Sequence, residues 1–202
     1  MISQGYGIFI TGTDTGVGKT FVSRGIIKSL KRRGVSVGAM KPVETGCIKR
    51  NGELIPADAI ELKRASNMKE PIEIINPFSY EMPLSPYAAS MYEEIKIKKD
   101  KILDVFHMLK KRYDFVIVEG AGGLMVPLSR DYMIADLIIH MELPIIIVAK
   151  AGLGTLNHTI LTIKVAKLYG IEVKGVVLNH TSSHSDISEE TNPMIIEELC
   201  NI

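Results

Sequence analysis

Short apolar runs alternate along the chain with longer stretches of mixed polarity. Residues 6–10, 35–40, 115–118, 144–149 and 173–178 are of strand length and rich in Ile and Val. Continuous runs of this kind suit strands covered on both faces, as in a parallel sheet. Between them the period changes. Residues 21–33 place Val22, Ile26, Ile27 and Leu30 at helical spacing, and Gly34 follows as a stop signal. Residues 101–113 repeat the pattern with Ile102, Val105, Phe106 and Leu109, and residues 155–169 with Leu156, Ile160, Ile163 and Ala166 before Gly170. This alternation predicts an α/β fold, a doubly wound and mainly parallel sheet flanked by helices and joined by right-handed crossovers. Residues 71–86 contain prolines but carry Ile74, Ile75, Phe78 and Tyr80, which predicts an ordered excursion rather than a linker.

Composition narrows the function classes. The 202 residues favour one domain over 1–202, and 46% hydrophobic residues suffice for a core without metal or disulfide staples. Lysine and arginine total 24 against 23 acids, a net charge of +1, so no basic field for nucleic acid is expected. Cys47 and Cys200 are too few for a disulfide scaffold or a four-thiolate zinc site. No apolar stretch reaches membrane-spanning length, and residues 1–7 lack a signal-peptide pattern. A soluble cytoplasmic protein without membrane or nucleic-acid partners is the expectation. The ten methionines read as core filler.

Ligands of open α/β sheets bind beyond the carboxyl ends of the strands, so each strand exit matters. The first exits into Gly12-Thr13-Asp14-Thr15-Gly16-Val17-Gly18-Lys19-Thr20. A glycine-rich turn before a helix aims backbone N–H groups at phosphate oxygens. Lys19 would reach the β- and γ-phosphates, and the Thr20 hydroxyl would ligate Mg²⁺. The pattern is a variant of the phosphate loop, since Thr13 stands where the strict form has Gly. The second strand exits into Lys41-Pro42-Val43-Glu44-Thr45-Gly46, where Lys41 is either an anion clamp or a solvated lysine before a turn. Asp58 opens a helical stretch over 57–65, where capping is the plainer reading, although Mg²⁺ would need a second acid near Thr20. The third strand ends in Glu119, followed by Gly120-Ala121-Gly122-Gly123. An acid there matches the position that holds the metal in phosphate-loop enzymes, the alternative being an exposed acid at a hairpin turn.

Taken in order, residues 12–20, 41–43 and 118–123 resemble dethiobiotin synthetase, a family of the P-loop NTPase superfamily. Gly152-Leu153-Gly154-Thr155-Leu156-Asn157-His158 is similar to that family's second glycine-rich loop. The resemblance implies ring closure on 7,8-diaminononanoate with CO2 and MgATP, forming dethiobiotin, ADP and phosphate in biotin synthesis. It implies that Lys19 and Lys41 flank the carbamate and γ-phosphate, and that Thr20, Asp58 and Glu119 arrange the Mg²⁺. Thr15, Thr45 and Gly122 would contact the substrate, and Gly12, Thr13, Asp14, Thr15, Gly16, Val17 and Gly18 would hold the nucleotide phosphates. Asn179 would read the adenine edge. A homodimer is implied, with the substrate carboxylate bound across the interface by Gly154, Thr155, Leu156 and Asn157. Residues 194–199 read as a final helix starting at Asn192-Pro193, and the sequence stops at Ile202, short of the family's base-covering segment. A weaker hold on the base is therefore expected.

Two other classes compete. A dimeric ATPase switch of the partitioning or cofactor-insertion type would carry a lysine early in the phosphate loop, where Thr13, Asp14 and Thr15 stand. The synthetase module of a glutamine-using enzyme needs a further domain for which 202 residues leave no room. His180 and His184 have an i, i+4 spacing but lie in a Ser-rich, loop-like segment, and His107 and His140 read as surface or core-edge residues.

Overall fold

The structure, a computed structural model, describes residues 6–180 and 187–202. Five strands, β1 (Tyr6–Gly12), β2 (Val37–Met40), β3 (Phe115–Glu119), β4 (Ile145–Lys150) and β5 (Val173–Asn179), form a parallel sheet in the order β5-β4-β1-β3-β2. Eight helices accompany them among the described residues: α1 (Lys19–Arg32), α2 (Ala57–Ser66), α3 (Ile72–Ile75), α4 (Pro86–Tyr92), α5 (Lys99–Arg112), α6 (Ile134–Met141), α7 (Thr155–Leu168) and α8 (Ser188–Cys200). Helix α1 packs on α2, α5 on α6 and α7 on α8. The central strands supply the fully buried Phe9, Ile10, Ile117, Ile145 and Ile147, and the helices cover them with Ile27, Leu62, Phe106, Leu109 and Ile163.

Register brings the strand exits together. Met40 pairs with Val118, so the next residues, Lys41 and Glu119, reach the carboxyl edge side by side. Ile10 pairs with Glu119 and Gly12 with Val148, which sets the phosphate loop between the exits of β3 and β4. Small ladders surround this edge. Val43–Glu44 runs parallel to Phe78–Ser79, so the excursion over 71–86 is an ordered wall against the second exit.

Several boundaries differ from the sequence expectation, each for a local reason. Residues 35 and 36 precede β2, because Gly34 at φ 83° turns the chain and the Val35 N–H bonds back to Leu30 O. Helix α1 starts two residues earlier than its apolar period, directly on Gly18. The last helix starts at Ser188, not at Asn192-Pro193, and contains Pro193. Proline there removes a single i→i−4 bond. Beside it the buried Asn192 donates to Ala151 O at 2.7 Å, tying that turn to the glycine loop after β4. Residues 48–55, for which no element is predicted, form a hairpin, Ile48–Arg50 with Glu53–Ile55. Its Asn51-Gly52 turn has both φ angles positive, the geometry that matches strand twist. Met40, Met68 and Met141 fill the core as expected, whereas Met91, Met125 and Met194 are exposed.

Candidate functional site

The phosphate loop is pinned on both flanks by backbone bonds, Gly12 N–H to Gly122 O at 3.2 Å and Thr13 N–H to Val148 O at 3.0 Å. Gly18 closes it at φ 94° and serves as the N-cap of α1. A Cβ at Gly18 would collide with the Asn179 amide, so conformation and space both favour glycine there. Within the loop the Asp14 carboxylate accepts the Thr15 N–H at 2.7 Å. Lys19 folds back and donates to Asp14 O at 2.8 Å. Burial, and next the neighbouring charge of Lys41, lower the Lys19 ammonium to about 8.

Opposite the loop, Lys41 is 3% exposed, which excludes the solvated reading. Its Nζ donates to Glu119 Oε1 at 2.6 Å and to Asp58 Oδ2 at 2.7 Å. Burial pulls its pKa down, but the charges of Glu119 and Asp58 outweigh that and hold it above the ordinary lysine value. Burial raises and Lys41 lowers the Asp58 carboxyl, with a net fall. Asp58 therefore faces the cluster and makes no side-chain cap to α2, although it sits in that helix's first turn. Glu119 is fully buried in a parallel strand, not exposed at a hairpin turn, and its Oε1 also accepts the Thr20 hydroxyl at 2.7 Å. Its Oε2 is buried without a hydrogen-bond partner.

A cavity of about 340 Å³ opens over this cluster. Thr15, Gly16, Gly18, Lys19 and Thr20 form one wall, Lys41, Thr45 and Asp58 another, with Glu119 and Gly122 at the base. Among the described residues no group of three His, Cys, Asp or Glu side chains could hold a metal on its own. A hydroxyl and two carboxylates instead suit Mg²⁺, a hard cation held by few protein oxygens and completed by phosphates and water. The orphaned Glu119 Oε2 fits that need for a further ligand.

Glu44 also lines the cavity and was not among the residues expected there. It is 7% exposed, and its two oxygens accept the N–H groups of Asp58 at 2.9 Å and Ala59 at 3.0 Å. Burial raises its carboxyl above the usual range, against the opposing effects of Lys41 and these two bonds. The sequence signal for it was an acid within the apolar exit Pro42-Val43-Glu44.

A family described as an AAA domain matches residues 6–202. The ATP-dependent dethiobiotin synthetase BioD of Thermodesulfovibrio yellowstonii is 45% identical, covering 97% of this chain and 85% of that protein. The corresponding enzyme of Aquifex aeolicus is 43% identical over 96% of this chain and 85% of its own length. The chain belongs to the dethiobiotin synthetase family. Among solved structures, a ParA family ATPase from Chlorobium tepidum aligns with TM-score 0.56 at 18% identity, covering 95% of this chain and 80% of that one. The cell division protein ftsY from Thermotoga maritima aligns with TM-score 0.54 at 17% identity, covering 98% and 59%. Those two likenesses speak for the P-loop NTPase fold alone.

The remaining residues that resemble dethiobiotin synthetase lie outside this cavity's wall. Asn179 ends β5, and its amide donates to Val17 O at 2.9 Å, buttressing the phosphate loop from behind. That bond uses one of the two N–H donors of the amide. Gly154, Thr155, Leu156 and Asn157 open α7, with Gly154 at φ 92° as N-cap. The Thr155 hydroxyl is buried against Thr159, and its N–H bonds to Gly152 O. Gly154 and Asn157 are exposed and do not line the cavity that Lys19 and Lys41 share. His180 pairs with Glu189 at 2.8 Å, while His184 lies outside the described residues. His107 and His140 are exposed on α5 and α6, as expected. No described helix is long and apolar enough to cross a membrane.

Proposed function

We propose that this chain is an ATP-dependent dethiobiotin synthetase, a ligase of biotin synthesis that acts as one domain over residues 1–202 in the cytoplasm. The observation that carries the reading is the seating of Lys41, Asp58 and Glu119 against Lys19 and Thr20, in a chain whose relatives bear that name. An association switch is less well supported, because Thr13, Asp14 and Thr15 occupy the place of its early lysine.

In the proposed reaction one amine of 7,8-diaminononanoate takes up CO2 as a carbamate and releases a proton. A carbamate oxygen attacks the γ-phosphorus of ATP and ADP leaves. The second amine then attacks the carbamate carbon, phosphate departs, and the ring closes with loss of a second proton. Every stage concentrates negative charge, so the residues contribute mainly by placement and electrostatic stabilisation. Lys19 exchanges the Asp14 carbonyl for phosphate oxygens, and N–H groups of residues 16–18 hold the rest of the chain of phosphates, whereas the Gly12 and Thr13 N–H groups are taken by Gly122 O and Val148 O and serve to hold the loop. Lys41 stands between γ-phosphate and carbamate. Thr15, Thr45 and Gly122 contact the diamine or its carbamate.

Mg²⁺, when bound, would neutralise phosphate charge, and Thr20, Asp58 and Glu119 would hold it directly or through water. Asn179 reads the adenine edge. In a homodimer, the first turn of α7, residues 154–157, faces the partner's cavity, where its N–H groups suit the substrate carboxylate. The test is ADP formation with single components omitted. ADP should appear only with both diamine and a CO2 source; equal turnover without diamine would reject the ligase.

A further inference from the structure

The start of α2 has an unusual cap. First-turn N–H groups have no partner within their own helix and are commonly capped by the residue just before it. Here that residue is Pro56, which offers no side-chain acceptor. The carboxylate of Glu44, fourteen residues upstream, takes the Asp58 and Ala59 N–H groups instead, one oxygen each. Glu44 is itself held firmly. Its strand pairs with Phe78–Ser79, and its carbonyl accepts the Tyr80 N–H at 2.9 Å. A negative charge at a helix N-terminus is favoured by the helix dipole, so these bonds are charge-assisted.

We infer that Glu44 is a positioning residue that fixes the first turn of α2 and thereby sets the Asp58 carboxylate against Lys41 and Thr20. Among the described residues, Asp58 is tied to the second strand exit by its backbone N–H to Glu44 and by its side-chain ion pair with Lys41. That pair must rearrange when anionic ligands draw on Lys41. Glu44 then keeps Asp58 in place, because its own two bonds do not involve Lys41. The role rests on the reading that Asp58 helps to hold Mg²⁺.

Calorimetry of ADP binding, with Mg²⁺ varied and the diamine absent, tests it. In Glu44→Gln an amide N–H₂ replaces one acceptor and opposes a helix N–H. The half-saturating Mg²⁺ concentration should rise about tenfold, the lower end for groups that orient metal ligands. ADP affinity without Mg²⁺ should not change. In an Asp58→Asn background Glu44→Gln should add nothing, since both act through one carboxylate. Losses that multiply across the two backgrounds, or a raised KM for the diamine with unchanged Mg²⁺ dependence, would overturn the inference in favour of direct substrate contact.

Asp58→Asn alone separates the two readings. If it weakens Mg²⁺ binding while Glu44→Gln does not, only the Glu44 role is overturned. If it leaves Mg²⁺ binding intact, the metal assignment and the Glu44 role fall together. A second measurement needs no variant. In the wild-type protein the Asp58 and Ala59 amides should be protected from hydrogen exchange, and fast exchange at both would contradict the cap.

Discussion

Lys41 and Lys19 are both buried, yet their charges are set in opposite directions. Lys41 lies between two carboxylates at 2.6 and 2.7 Å, so it stays protonated at any pH at which the protein works. Lys41→Gln keeps a donor for Glu119 and avoids leaving that buried carboxylate bare, as alanine would. The variant should still bind nucleotide but close the ring about 10²–10³-fold more slowly, the cost of losing one charge-stabilising donor. Unchanged kcat in a steady-state assay would reject the role. Among the described residues Lys19 has no carboxylate in hydrogen-bond contact, and its ammonium is lowered to about 8. At pH 8.5 it is mostly neutral, and phosphates restore its charge, so nucleotide binding should take up a proton. Toward pH 7 the ammonium is mostly charged already, and the uptake should shrink. Calorimetry in buffers of different ionisation enthalpy measures this, and Lys19→Arg, which cannot lose its proton, should abolish the uptake at pH 8.5.

Helix ends show how local chemistry sets the fold. Helix α6 stops in a Schellman motif, with Leu143 N–H bonding to Ile138 O and Glu142 N–H to Ile139 O. Glu142 occupies its left-handed position at φ 53° and is exposed, where glycine carries no Cβ strain. Glu142→Gly should stabilise the protein by about 0.5–1 kcal/mol, read as a higher urea midpoint at constant m-value. A lower midpoint would mean that the glutamate makes compensating contacts. The five strands were legible as continuous apolar runs and the long helices α1, α5 and α7 by their helical spacing, as in Ile102, Phe106 and Leu109, all buried. The Asn51-Gly52 hairpin was present in the sequence as a turn signal, but its first flank is exposed, its second is at most half-buried, and neither carries an apolar alternation. Pro193 masked the true start of α8, because its anchor, Asn192 to Ala151 O, is a tertiary contact.

The cavity joins three strand exits that lie up to about a hundred residues apart, as the Thr20–Glu119 hydrogen bond shows. Lys19, Thr20, Lys41 and Glu119 were readable because each stands at a strand exit, and sheet register carries those exits to one edge. That Asp58 does not cap α2 needed the structure, since the cap is supplied by Glu44. Glu44 was hidden for the same reason: its partners become visible only once α2 folds against the second exit. What the whole arrangement is proposed to do is couple one ATP to the fixation of one CO2. Labelled bicarbonate, with ATP and 7,8-diaminononanoate at saturation, measures that coupling directly. One labelled carbon should enter an acid-stable cyclic urea for each ADP formed. ADP released without acid-stable label would contradict the account.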